Sequence, residues 1–188
     1  MPITLVAMPN AAHGLTHGMW LAPYPGAYRA SEFIEANATR FRGLRVTDVG
    51  TGSGYTAIAA ALAGAEYVLA VDSDPEALRA TDLNAAANGV SHIVETRLGD
   101  ITSRQLYMDA NAQALVAADT FYNPIITRGL VGQLLREAQR GKAILATSSD
   151  NLLPRLKEIG EDISEDTTGP NGLTLFVHGV WVPPQRKL

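Results

Sequence analysis

Residues 46–54, VTDVGTGSG, constrain the fold of this chain more than any other segment. An apolar run carrying one acid, Asp48, meets glycines at Gly50, Gly52 and Gly54, and an Ala-rich helical pattern follows directly. A strand that ends in glycines and opens a helix lets a ligand approach bare backbone and aims helix-start N–H groups at it. A second apolar run, 67–71, ends in Asp72. That offset suits a carboxylate that meets a ribose hydroxyl pair. The spacing therefore predicts an α/β chain that binds a nucleoside-containing cofactor beyond the ends of its strands.

The glycine spacing narrows the choice. A dinucleotide fingerprint has the form G-x-G-x-x-G, and its third glycine falls here on Tyr55. A P-loop carries a lysine and a hydroxyl after its last glycine, whereas Gly54 is followed by Tyr55 and Thr56.

Along the rest of the chain, strands alternate with helices. Helical spacing is read at 28–37, 54–63, 75–88, 124–140 and 152–159; strands are read at 44–49, 67–71, 93–98, 114–118, 142–147 and 173–182. Asp74 is placed to cap the helix that Pro75 opens, and Gly89 to end it. The polar run 162–172 reads as a loop. This alternation argues for a parallel sheet covered on both faces. With 188 residues and 46% hydrophobic content, one compact domain is expected. Residues 1–40 are read as an N-terminal lid or acceptor segment and 41–188 as the catalytic core.

Charge and composition set further expectations. The net charge is −4, and only Lys142, Lys157 and Lys187 are lysines. A nucleic-acid enzyme usually shows a basic face, so no nucleic-acid partner is expected. Arg40, Arg42 and Arg45 are assigned to the end of the first helix, where cations favour the dipole. The chain has no cysteine, which rules out thiolate metal sites and suits a reducing cytoplasm. His13 and His17 lack a partnered acid, and no metal site is expected. The opening residues lack the pattern of a signal peptide, and no apolar run approaches the ~20 residues of a membrane span. A monomer or weak homo-oligomer is expected.

The D-x-G-x-G-x-G segment resembles motif I of the class I S-adenosylmethionine (SAM) methyltransferases. SDPEAL after Asp72, LNAAANGV at 83–90 and RLGDI at 97–101 resemble the later segments of that family in the same order. The resemblance implies a single Rossmann-like domain with a mostly parallel sheet, an antiparallel last strand and helices on both faces. It implies SAM as cofactor, with Asp72 holding the ribose and Ser73 beside it. Asp100 and Ile101 would meet the adenine. Gly50, Thr51, Gly52 and Gly54 would line the methionine end, with Asp48 close to its ammonium.

The fourth strand carries the acceptor chemistry. Asp119, Thr120, Phe121 and Tyr122 follow it, where ligands sit in such sheets. The N-P-P-Y signature of amino-methylating enzymes is matched only superficially, since Tyr122, Asn123 and Pro124 come late and lack the second proline. The D-x-F-Y form is similar to that of seven-strand protein lysine methyltransferases, in particular the bacterial enzymes acting on the electron-transfer flavoprotein β-subunit. MWLAPYPGAYRASEFI at 19–34 resembles that family's segment before the first strand. Tyr24 stands where the family has Trp, and Gln113 where it commonly has an acid. The resemblance implies that Asp119 orients an amine, that Phe121 and Tyr122 wall it, and that Trp20, Tyr24 and Tyr28 contact the acceptor. Asp119 as a cap of the following helix, and the two aromatics as core residues, remain open at this point. So do an acceptor that is a small molecule, methylated on N or O, rather than a protein lysine, and a SAM-binding module without catalysis.

Overall fold

The computed structural model describes residues 2–6, 23–109, 111–148, 154–168 and 174–184. The expectations for Trp20, His13 and His17 lie outside the described residues.

The elements run α1 (Pro25–Ala36), α2 (Ala38–Phe41), β1 (Arg45–Val49), α3 (Tyr55–Leu62), β2 (Tyr67–Asp72), α4 (Pro75–Ala87) and β3 (Val94–Leu98). They continue with α5 (Arg104–Asp109), β4 (Ala114–Ala118), α6 (Pro124–Gln139), β5 (Ala143–Ser148), α7 (Pro154–Lys157), β6 (Glu161–Asp162), β7 (Glu165–Thr168) and β8 (Thr174–Val182). The sheet order is β3-β2-β1-β4-β5-β8-β6, with β7 also on β8. Strands β1 to β5 pair in parallel, and β8 is antiparallel to β5. The sheet is therefore mostly parallel with an antiparallel strand near one edge, as expected from the sequence.

Side chains of a strand alternate between faces, and both faces here are buried. Val68 and Ala70 of β2, Ala114 and Val116 of β4, and Leu145 of β5 meet α1 and α3 in one layer. Leu69, Val71, Leu115, Ala117, Ile144 and Ala146 meet α5 and α6 in the other. This is why the central strands read as continuous apolar runs.

Three local expectations are corrected. Helix α1 begins three residues earlier than the apolar spacing suggests, because Pro25 occupies its first turn, where a missing N–H costs nothing. Residues 162–172 are not all loop: β6 and β7 pair along β8, with Glu161 to Trp181 and Glu165 to Val177 in register. Their acidic residues are exposed, so the segment lacks an apolar alternation, as charged edge strands do. The arginine group does not cap α1. Arg40 stacks over the Phe33 and Trp181 rings at 6.0 and 5.6 Å, and Arg45 over Tyr67 at 4.2 Å.

Candidate functional site

The strand order reverses between β1 and β4, which makes a crevice beyond their carboxyl ends. The glycine loop follows β1 and the acidic-aromatic segment follows β4, so the topology brings the two sequence signals together.

The loop is held from below and from the side. Gly50, Gly52 and Gly54 all have positive φ, a region that only glycine enters freely. A Cβ on Gly50 would overlap the Thr120 methyl. The amides of Gly50 and Thr51 donate to the Val71 carbonyl at 2.8 and 3.0 Å. Asp48 lies fully buried beneath the loop, and its Oδ2 accepts from the hydroxyls of Thr51 (2.7 Å) and Thr56 (2.6 Å). Burial pushes its carboxyl up to about 6 against the two hydroxyl bonds that favour the charge. Helix α4 closes the far side: Thr81 donates to the Gly52 carbonyl at 3.0 Å and Asn84 to the Ser53 carbonyl at 2.8 Å. Thr56 and Thr81 were not singled out from sequence. A hydroxyl in the first turn after the glycines was the available signal for Thr56.

Asp72 ends β2 beside this loop. Its Oδ2 accepts from the Gly52 amide at 3.0 Å and its Oδ1 from the Asp74 amide at 3.0 Å. The Ser73 amide also faces the carboxylate, and burial raises its pKa against these amide bonds. A carboxylate offers about four acceptor positions, so these contacts leave capacity for a diol. Asp100 is exposed, with Oδ1 accepting from the Thr102 amide (2.8 Å) and hydroxyl (2.7 Å). Ile101 is half-buried, and its carbonyl accepts from the Tyr107 hydroxyl. Its Cδ1 approaches Gly50, lying 3.8 Å from where a Cβ would be. The chain thus gathers Asp48, Gly50, Thr51, Gly52, Gly54, Asp72, Ser73 and Ile101 around one crevice, with Asp100 at its β3 end.

Past β4, the expected acceptor residues separate. Asp119 has a left-handed backbone, φ +53, and its Oδ2 accepts from the Ala27 amide in the first turn of α1 at 3.1 Å. It does not cap α6, where Asn123 accepts from the Ile125 and Ile126 amides instead. Thr120 is buried, and its hydroxyl has no partner among the described residues. Phe121, expected to wall the acceptor, is fully buried in the layer containing Leu130 and Leu134. Tyr122 is 61% exposed. Tyr24 is exposed at the N-cap of α1, and Tyr28 packs edge-on against Tyr55 at 4.9 Å between ring centroids. The sequence places Thr120 on the loop after the fourth strand but gives it no role of its own, because a threonine between an acid and two aromatics carries no spacing signal.

The family model for ribosomal protein L11 methyltransferase (PrmA) matches residues 32–148, more than half of the chain, from within α1 to the end of β5. The chain belongs to that family. Among curated PrmA-family relatives, the ribosomal protein L11 methyltransferase of Sorangium cellulosum is 30% identical over 149 residues, covering 75% of this chain and 44% of that protein. The electron transfer flavoprotein beta subunit lysine methyltransferase of Xenopus laevis is 31% identical over 173 residues, covering 86% of this chain and 68% of that protein. The ribosomal protein L11 methylase of Lactobacillus delbrueckii subsp. bulgaricus has a solved structure that superposes with a TM-score of 0.60 at 24% identity, covering 86% and 79% of the two chains. This chain spans less than half the length of the first L11 relatives it matches. The matched region has the α/β methyltransferase fold, with the sheet order and antiparallel strand described above. The residues fit a SAM cofactor: an acid ends β2, glycines at which a Cβ would clash precede α3, and Thr120, after β4, lays its methyl against Gly50 while its buried hydroxyl has no partner among the described residues.

Proposed function

We propose that this chain is a SAM-dependent protein methyltransferase acting on an amine nitrogen, a lysine side chain in particular. The observation that carries the reading is the meeting, at one switch point, of the glycine loop with an acidic and aromatic segment. Relatives named for two protein acceptors, ribosomal protein L11 and the electron transfer flavoprotein beta subunit, support a protein substrate. Tyr24, Tyr122 and Ile125 are exposed on segments that converge at this end of the sheet, which suits a macromolecular acceptor.

SAM, when bound, supplies a methyl already activated on a sulfonium. Asp72 would hold the ribose, Asp100 and Ile101 the adenine, and the loop Gly50–Gly54 with Thr51 the methionine end, over Asp48. The remaining task is to place a nucleophile in line and to exclude water. A lysine amine with pKa near ~10.4 arrives protonated, and a carboxylate stabilises that form further. Asp119 therefore binds and orients the amine rather than activating it; only the neutral amine carries the lone pair that takes the methyl, so the bound ammonium first gives a proton to solvent water. The Tyr122 ring supplies an apolar and cation-tolerant face. Phe121 supports this surface from behind, within the core.

The test is transfer of labelled methyl from SAM to purified ribosomal protein L11 and to purified electron transfer flavoprotein beta subunit, with the modified residue mapped by mass. Label on a lysine of either protein, reduced at least ~10-fold in Asp119→Ala with unchanged SAM binding, is the expected result. Full turnover in Asp119→Ala would remove Asp119 from the acceptor role.

A further inference from the structure

Three segments that are far apart in sequence close a ring around Asp119. The Thr147 hydroxyl, at the end of β5, donates to the Gly26 carbonyl at 2.7 Å in a buried bond. The Thr147 carbonyl accepts from the Asp119 amide at 2.9 Å. The Asp119 carboxylate accepts from the Ala27 amide at 3.1 Å. One residue of β5 thus binds both the backbone of Asp119 and the turn of α1 that holds its side chain.

Gly26 completes the ring by what it lacks. A Cβ there would lie 2.5 Å from Asp119 Oδ2, 2.6 Å from Oδ1 and 2.6 Å from Cγ. The carboxylate therefore lies across the bare Cα of Gly26. This glycine is not needed for a left-handed backbone, since Gly26 is helical and absent from the positive-φ positions. Within a helix, alanine would ordinarily be preferred. Close approach to Asp119 is the physical reason for glycine at this position. The N-cap of α1, Tyr24, makes no side-chain cap bond, and the Ala27 amide in its first turn is shared between the Tyr24 carbonyl at 3.0 Å and Asp119 at 3.1 Å.

We infer that Thr147 and Gly26 are positioning residues that fix the Asp119 carboxylate for the acceptor. This rests on the reading of Asp119 as the group that orients the amine. A left-handed non-glycine residue persists only where its surroundings over-determine it, and the Thr147 carbonyl and the first turn of α1 provide that constraint. The ring also ties the Asp119 carboxylate to the first turn of α1.

The test uses Thr147→Val, Thr147→Ser, Gly26→Ala and Asp119→Asn in the full chain. Initial rates of labelled methyl transfer from SAM into the protein fraction of a host-cell lysate are followed against lysate concentration. SAM affinity is measured by calorimetry, and exchange of the Ala27 amide by mass spectrometry. Thr147→Val and Gly26→Ala should each lower transfer on the order of 10–100-fold at limiting acceptor, with SAM affinity unchanged and Ala27 exchange accelerated. Thr147→Ser keeps the hydroxyl and should restore both readouts. Wild-type transfer in Thr147→Val and Gly26→Ala, with Asp119→Asn impaired, overturns the positioning inference alone. Wild-type transfer in Asp119→Asn removes the reading of Asp119 itself and the inference with it.

Discussion

Asp48 is a buried group whose protonation links stability to pH and, under the proposed function, to cofactor affinity. Its pKa is raised to about 6 by burial, above its unfolded value near ~3.9. The folded state therefore binds more protons than the unfolded chain between these values, and stability falls as pH rises from about 4 to about 6. The full shift corresponds to at most about 3 kcal/mol. Urea denaturation across this range should show that slope, and Asp48→Asn should flatten it. SAM carries positive charge, so its affinity should rise as pH increases through about 6, again flattened in Asp48→Asn; calorimetric titrations at pH 5 and 7.5 measure it. At Gly50 the constraint is steric. Gly50→Ala costs roughly 1–2 kcal/mol for a left-handed backbone, and its Cβ also overlaps Thr120. Lower denaturation midpoints and weakened SAM binding are the expected outcome.

Elements differ in how far the sequence discloses them. Helix α4 was legible at both ends because Asp74 accepts from the Glu76 amide and Gly89 takes positive φ, which are the jobs those residue types do at helix ends. Strand β4 was legible because four buried apolar residues follow one another. The edge strands β6 and β7 were not, since their pairing is carried by backbone bonds to β8 rather than by a buried face. The acceptor segment was half legible. Asp119 and Tyr122 have types that suit the chemistry, but adjacency in sequence hid that Phe121 turns into the core. The clamp between Asp119 and the first turn of α1 was beyond sequence altogether, because its Ala27–Asp119 contact spans 92 positions. Two element-scale substitutions follow. Asn123→Ala removes the acceptor for the first-turn amides of α6 and should cost ~0.5–2 kcal/mol in urea denaturation. Trp181 on β8 is 1% exposed and packs on Phe33 and Phe41. Trp181→Ala should cost about 3–5 kcal/mol, enough to unfold much of a marginally stable domain.

At the scale of the whole molecule, a sheet buried on both faces brings the glycine loop after β1 and the acidic segment after β4 together at its switch point. The cofactor signals were strong in sequence because they are backbone demands: glycines where no Cβ fits, and an acid at a strand end. The acceptor signals were weaker because the surface proposed for the acceptor is spread over α1, the loop after β4 and the exposed start of α6. Among the described residues no helix is long and apolar enough to cross a membrane. The central claim, that this domain moves a methyl from SAM to protein, is tested most directly by incubating the chain with labelled SAM and a host-cell lysate and separating protein, RNA and small-molecule fractions. The account predicts label in a discrete protein band that is lost with Asp72→Ala. Label confined to small molecules or to RNA would contradict it.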